Sequence, residues 1–490
     1  MLLRGMIRIL IKKIEDTIIR HRMLRSNEMV LIAFSGGPDS MVLLDALDKL
    51  KSKYGIRLCL AHFNHRLRGK AAEEDAEFAE KTANQRKLMF IGSSADVAAY
   101  AKENKLSIEA AGRKLRYEFF LRSSLTVGAS KVALGHTADD QAETLLMRLI
   151  RGAGPEGLAG IPPVRKLDEQ SGSKIIRPLI TSWRSEIEQY LSERQLDSRR
   201  DVSNEQPEYF RNRIRLELIP HLEMEYNPQA KQHFAAAASA LAIENDFLSG
   251  EAELLAGETL LERKREWVVF DARMLSQLHP ALRPRIFSKL LKMARPQAPM
   301  LETVHFTEAD VCLTTGGKMH LPGGLSFEVS EGAGLIGSSS VKPAGKRKSF
   351  LLDLSGVRAI PELDLIVKTA LMRKISAPSR LIRLCTPSRQ YFSLKAVREP
   401  LEIRTRRPGD SFSPLGMDGS KKLKDFFIDK KVPRFLRDRI PLLVSDGRIM
   451  WVMGYAIDKR FMLKSGSTSA LRLDYERTTP GTLPEKRTNC

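Results

Sequence analysis

A chain of 490 residues is longer than one hydrophobic core usually organises, so two to four domains are expected. Hydrophobic residues at 42% and charged residues at 28% exclude wholesale disorder, and 80 Lys and Arg against 59 Asp and Glu leave a net charge of +21 that points to a polyanion, nucleic acid before an anionic membrane surface. No stretch approaches the roughly 18 consecutive apolar residues of a membrane span, and Cys59, Cys312, Cys385 and Cys490 lack the C-x-x-C spacing of a zinc ribbon or a disulfide framework.

The first 28 residues break their apolar runs with Arg and Lys, which predicts a basic amphipathic helix rather than a signal peptide, and a cytoplasmic protein. EMVLIAF (28–34) predicts a buried strand, and MVLLDALDKLKSKYG (41–55) a helix stopped by Gly55. IRLCLAHF (56–63) is the next strand, and a charged helix follows over 72–87. LMFIG, SIEAAGRKLRYEFFLRSS, KVALG and TADDQAETLLMRLI continue the alternation, which predicts a parallel α/β sheet with helices on both faces. RGAGPEGLAGIPPV reads as loop and SWRSEIEQYLSERQ as helix. An Ala-rich helix begins a mainly helical middle region, a second helix lies near 281–293, and MHLPGGLSFEVS alternates as strands do. SSSVKPAGKRK (338–348) has linker composition, a small α+β domain with one basic helix follows, and the last residues lack periodicity. The expected divisions are 1–226, 227–337, a linker and start of the C-terminal region over 338–400, a domain over 401–475, and a disordered tail over 476–490.

Between the first strand and its helix stands Ser35-Gly36-Gly37-Pro38-Asp39-Ser40. Two glycines let backbone N–H groups approach a phosphate, the helix start adds partial positive charge, and the Ser35 and Ser40 hydroxyls can donate. Asp39 would repel phosphate unless a cation such as Mg²⁺ lies between them. A plain turn capping the helix is the competing reading, and the absence of G-x-x-x-x-G-K-[ST] disfavours a Walker-type site.

Ligands of an open parallel sheet bind at the carboxyl ends of its strands, where three more clusters fall. His62-Phe63-Asn64-His65-Arg66-Leu67-Arg68 follows the second strand, with Arg68 in reach of phosphate and either histidine a donor or base. Gly135 to Thr144 brings His136, a Thr137 helix cap, and Asp139, Asp140 and Glu143 on one helical face. Such a face suits Mg²⁺ or the ammonium groups of a cationic substrate. Arg113 and Arg116 stand one turn apart on the preceding helix, able to neutralise phosphate or simply to line a solvated face.

The first segment resembles the SGGxDS loop of the PP-loop ATP pyrophosphatases, which split ATP between the α- and β-phosphates. HFNHRLRG, EAAGRKLRY, GHTADDQAETLLMRLIRGAGPEGLAGI, RPLI, DVSN with RNRIRLELIPHL, LPGG, RRPGDSFSPLG, KKLKDFFIDKKVPRFLRDRIPLL and WVMGYAIDKRF follow in order. This series is similar to the tRNA(Ile)-lysidine synthases over nearly the whole chain, apart from the termini and 335–400. Gly112 departs from the family's more usual Ala, which slightly weakens a helix without touching an expected role.

The resemblance implies a catalytic PP-loop domain and tRNA-binding middle and C-terminal domains. It implies that the C2 oxygen of the wobble cytidine of tRNA(Ile), anticodon CAU, attacks ATP, and that the ε-amine of lysine then displaces AMP. Ser35, Gly36, Gly37, Pro38, Asp39, Ser40 and Arg68 would bind ATP, with Asp39 holding Mg²⁺. Arg113, Arg116, His136, Asp140 and Glu143 would join Asp39 in catalysis, the last three also binding lysine and one of them taking its proton. Arg211, Arg213, Arg215, Lys421, Lys422 and Lys424 would contact tRNA phosphates. The oligomeric state stays open, a homodimer being one option. A PP-loop thiolase, which usually needs paired cysteines, and a non-catalytic RNA-binding protein are the alternatives.

Overall fold

The computed structural model describes residues 2–168, 171–199, 210–338, 349–417 and 419–478. The DVSN motif, nearly all of SSSVKPAGKRK and the end of the expected tail lie outside these residues. The chain divides into two compact units, Met1–Phe247 and Leu248–Cys490.

In the first unit the elements run α1 (Leu2–Arg20), β1 (Met29–Ala33), α2 (Pro38–Tyr54), β2 (Arg57–Asn64), α3 (Lys70–Gln85), β3 (Met89–Ser94), α4 (Val97–Glu103) and α5 (Ile108–Val127). They continue with β4 (Ala129–Ala133), α6 (Ala138–Ile150), α7 (Pro155–Leu158), β5 (Val164–Lys166), β6 (Lys174–Ile176) and α8 (Arg184–Arg194). A second helical run follows as α9 (Phe210–Arg213), one π-helical stretch (Ile214–Leu218), α10 (Ile219–Glu225) and α11 (Ala230–Thr259), whose residues from Leu248 onward belong to the second unit. The sheet order is β3-β2-β1-β4-β6-β5, parallel except for the edge strand β5.

Period-two side chains decide which face each strand residue serves. Val30, Ile32 and Phe34 pack with α1, α2 and α8, whereas Met29, Leu31, Cys59 and Ala61 pack against Phe119 and Phe120 of α5. Each fully buried aliphatic side chain of this kind contributes about 1.5–3 kcal/mol. The N-terminal basic helix belongs to this core: Leu10, Ile14 and Ile18 are buried, and Lys13 pairs with Glu186 of α8 at 2.7 Å. Its apolar face is therefore committed to protein, not to a membrane surface. Gly55 stops α2 as expected, in a left-handed conformation with its N–H donating to Lys51 O. Because strand order reverses at β1, the loops after β1 and β4 border one crevice.

The second unit carries four sheets among the described residues. Strands β7 (Leu260–Arg263), β8 (Trp267–Asp271), β9 (Gly317–Leu321), β10 (Leu325–Ser330) and β11 (Ala333–Ser338) form an antiparallel sheet in the order β7-β8-β11-β10-β9. The expected helical middle is present as α12 (Ala272–Gln277), α13 (Arg283–Ala294) and α14 (Thr303–Thr315) laid on this sheet. Phe287 and Phe327 meet edge to face at 5.0 Å in the core between them. Downstream come β12 (Ser349–Leu352), β13 (Gly356–Ile360), β14 (Leu365–Met372), α15 (Pro378–Ile382), β15 (Arg389–Ser393), β16 (Leu401–Arg404), β17 (Ser411–Phe412) and β18 (Lys421–Lys422). The unit closes with α16 (Leu423–Asp429), β19 (Leu442–Ser445), β20 (Arg448–Val452), β21 (Ala456–Ile457) and β22 (Ala470–Arg477). Thus β12 to β15 occupy most of the segment 349–400, and β22 runs two residues past 475. Helix α16 is held by Leu423, Phe426 and Phe427 and carries one lysine, Lys424, beside Asp425 and Asp429, so the basic character expected of it comes from the flanking Lys421, Lys422, Lys430 and Lys431.

Candidate active site

From β1 the chain turns through Phe34-Ser35-Gly36-Gly37 into α2. Gly36 has φ +83°, where a Cβ is strained, and that Cβ would lie 3.3 Å from Phe78 Cδ1. The Ser40 hydroxyl donates to Gly37 O at 2.9 Å and lies 3.3 Å from the Ser35 hydroxyl. Gly37 is the N-cap and supplies no side-chain cap, so the turn does not close off the start of α2 as an ordinary capping turn would. Pro38 fits the first helical turn, where a missing N–H removes no helical bond.

Asp39 projects from that turn into a half-buried position. Its Oδ1 is shielded from solvent and has no hydrogen-bond partner among the described residues. Burial, then the charge of Asp140, pushes its carboxyl up to about 6 even though Arg184 and Arg215 oppose the shift. A buried, unpaired carboxylate oxygen is costly by itself and is a natural ligand for a hard cation. No group of three or more His, Cys, Asp and Glu could cage a metal among the described residues. The donor set fits Mg²⁺, which needs only one or two protein carboxylates when phosphates supply other ligands. Gly135, after β4, allows close approach to this loop: a Cβ there would lie 3.3 Å from the Asp39 carbonyl carbon.

The first turn of α6 carries the acidic face. Thr137 and Asp140 form a reciprocal capping box, with the Thr137 N–H donating to Asp140 Oδ2 at 2.7 Å. Capping uses only one Asp140 oxygen, while the other accepts from Arg211 Nη2 at 2.7 Å. Burial alone would raise the Asp140 carboxyl, but Arg211, then His136 and the Thr137 N–H, hold it below the ordinary value. Glu143 is 1% exposed and is gripped by Arg211 Nε at 2.7 Å and Arg215 Nε at 2.5 Å. Asp139 turns another way, accepting from the Arg184 N–H at 2.8 Å and the Lys231 ammonium at 2.9 Å. Arg211 and Arg215, expected to face RNA, therefore point into the acidic site, because buried carboxylates bind guanidinium more strongly than solvent-screened phosphate contacts would. Arg213 remains exposed, near Glu217 at 4.0 Å.

His136 sits between acidic and basic neighbours. Its Nδ1 accepts from Arg177 Nε at 3.1 Å. Arginine can only donate, so the neutral ring carries its proton on Nε2. Burial, opposed by Asp140 and reinforced by Arg177, brings His136 down to about 4, so the neutral form prevails near pH 7. His136 is thereby a donor through Nε2, and its lone pair is already engaged. Arg177 was not among the expected site residues. Its sequence signal was a charge inside the apolar run KIIRPLI, immediately after β6.

The remaining rim residues are more dispersed. Arg68 pairs with Asp75 at 2.8 Å, and Arg199, whose N–H donates to Gly36 O, bonds the other Asp75 oxygen at 3.0 Å. His62 bonds Phe34 O at 2.9 Å, and burial lowers its pKa. His65 falls to about 4 through burial, then Arg116. Arg116 is itself lowered, by burial before the nearby Arg113 charge, while Arg113 lies over the Tyr117 ring. Gly112 does touch this rim, contrary to expectation: a Cβ would come 3.3 Å from His65 Nδ1. In the second unit Lys421 pairs with Asp429, whereas Lys422 and Lys424 are exposed.

A glycine turn between β1 and α2 with an orphaned aspartate at a sheet switch point defines a PP-loop ATP-binding protein. Residues 8–222 match the family model of the PP-loop domain, and 401–475 that of the TilS substrate C-terminal domain. A tRNA(Ile)-lysidine synthase of Clostridium acetobutylicum is 33% identical over 480 residues, 96% of this chain and 100% of that protein. One of Geobacter sulfurreducens is 36% identical over 465 residues, 93% of this chain and 95% of that protein. The chain belongs to the tRNA(Ile)-lysidine synthase family.

Proposed function

We infer that this chain is an ATP-dependent ligase that joins free lysine to C2 of the wobble cytidine of tRNA(Ile), releasing AMP and pyrophosphate. Full-length relationship to enzymes of that name supports the reaction. The observation that carries the site reading is the juxtaposition of the orphaned Asp39 oxygen with the carboxylate–arginine cluster of Asp140, Glu143, Arg211 and Arg215.

The cytidine O2 attacks the α-phosphorus, the α–β bond breaks, and pyrophosphate leaves; the lysine amine then adds at C2 and AMP departs. Gly36, Gly37 and the start of α2 present N–H groups to the departing pyrophosphate, with Ser35, Pro38 and Ser40 shaping the turn. Asp39 would hold Mg²⁺, whose charge offsets that developing on the phosphates. Arg68 and Arg116 lie on the rim as further phosphate ligands, with Arg113 one turn away. Free lysine brings a carboxylate and two ammonium groups. Asp140 and Glu143 supply the anions, and Arg211, ion-paired to both, supplies a cation for the carboxylate. His136 donates through Nε2 rather than taking the lysine proton.

The alternative of thiolation lacks its chemistry. Cys59 lies inside β2 with burial pushing its thiol up to about 11, the opposite of an activated thiolate. The deciding experiment supplies ATP, radiolabelled lysine and a tRNA(Ile) transcript with a CAU anticodon. Label is expected in the tRNA only with ATP present; no label under conditions where a family member works would sink this reading.

A further inference from the structure

Beside the lysine cluster the rim carries a second concentration of charge, centred on Tyr117 of α5. The guanidinium carbons of Arg113 and of Arg165, on the edge strand β5, each lie 4.9 Å from the Tyr117 ring centroid. Arg177 reaches toward the same phenol, and its Nη1 donates to Pro162 O at 2.6 Å. Arg148 donates to the Gly157 and Gly160 carbonyls. These four guanidinia bond carbonyls, an imidazole or a ring, and none pairs with a carboxylate among the described residues. Arg211 and Arg215, close by in the same unit, are saturated with carboxylate.

Burial and the neighbouring cations act together on these groups. Burial, with the charges of Arg165 and Arg113, brings Arg177 down to about 10 despite Tyr117. Burial would raise the Tyr117 phenol, yet Arg165 at its hydroxyl and the charge of Arg113 bring it below its ordinary value. The cost of holding these groups together is recovered when an oxyanion enters.

We propose that Arg113, Arg165 and Tyr117, backed by Arg177, form a phosphodiester site that seats the RNA backbone beside the nucleotide being modified. It rests on the tRNA-modifying reading above. Nucleotide phosphates already have the glycine loop, and the charges acting most strongly on Asp39 are Asp140, Arg184, Arg215 and Asp139, none of them from this cluster. His136 bridges the two regions, facing Asp140 on one side and Arg177 on the other. A single-stranded base splayed toward the acidic end needs its backbone neutralised next to the point of entry. The arginine cluster lies at that position.

The test uses the full chain, with Arg165→Gln and Arg165→Lys, a fluorescent tRNA(Ile) transcript over a KCl series, and separate ATP and lysine saturation curves. Arg165→Gln should weaken tRNA binding about tenfold at low salt and make the slope of log affinity against log salt shallower by about 0.7, the loss of one single-strand phosphate contact. Arg165→Lys should restore the slope. KM for ATP and for lysine should not change. Unchanged tRNA affinity and slope in Arg165→Gln, with a wild-type melting curve, would overturn the site. A raised KM for ATP with intact tRNA binding would overturn it too, by giving the cluster to the nucleotide phosphates. A wild-type chain that binds no tRNA defeats the functional reading itself, and this site with it.

Discussion

Burial and the Asp140 charge raise Asp39 from 3.8 to about 6, so ionised Asp39 opposes folding of the protein by itself. The sign follows from linkage: the neutral form is favoured in the fold, so stability is retained at pH below about 3.8 and lost as pH rises through about 6. At about 1.36 kcal/mol per pKa unit the penalty is roughly 2–3 kcal/mol at neutral pH. Asp39→Asn should therefore raise Tm by several degrees at pH 8, change it little near pH 4, and abolish pyrophosphate release. Calorimetry at the two pH values checks the first part; a variant no more stable at pH 8 would remove the burial argument. The sequence marked Asp39 because a carboxylate among phosphate-loop residues is anomalous. It could not mark Arg211 and Arg215 as site residues, since their partners lie 68 to 72 positions away and a basic run looks the same whether it faces solvent or a carboxylate.

Among the elements, α2 shows how the phosphate loop is kept in place. Asp45, 2% exposed, accepts from the Tyr190 hydroxyl of α8 at 2.7 Å and pairs with Arg86 at 3.1 Å and Lys49 at 3.2 Å. Burial would raise the Asp45 carboxyl, but Tyr190, then Lys49 and Arg86, hold it below 3.8. Its contribution is present above the unfolded value of 3.8 and is lost as pH falls through the lower folded value. Asp45→Asn should cost about 1–3 kcal/mol at pH 7, the loss of charge-assisted bonds at a buried group. Urea unfolding at pH 7 measures this, and the difference from wild type should shrink below pH 3.8; an equal difference at both pH values would contradict it. Helices α2, α5 and α6 were legible from periodicity and from their Gly or Thr boundaries. The significance of Gly112 was not: helix propensity speaks only of its own backbone, whereas the missing Cβ makes room for the His65 ring across a gap of 47 positions.

For the whole molecule, internal pairs leave the excess of +21 unchanged, since each removes one charge of either sign, but they decide which cations carry it. Arg211 and Arg215 are neutralised by Asp140 and Glu143, and Lys421 by Asp429, so none of the three counts toward an RNA-facing surface. Lys422 and Lys424 remain exposed on the second unit as phosphate contacts we propose for the tRNA. Replacing both by Gln should weaken tRNA binding and make its salt slope shallower by about 1.4, at about 0.7 per phosphate on single-stranded RNA, while adenylation at saturating tRNA is retained. Binding titrations from low to moderate salt check it, and an unchanged slope would move the interface elsewhere.

By itself the sequence determined the alternating α/β catalytic half, the phosphate loop and the acidic face of α6, because period, turn chemistry and residue spacing are local properties. Only the tertiary structure decided which charges of that +21 face outward, that His136 is a donor, and that Arg113, Arg165 and Arg177, none paired with a carboxylate among the described residues, gather around Tyr117. Those outcomes depend on distances between side chains far apart along the chain, which a net charge sums over and cannot resolve.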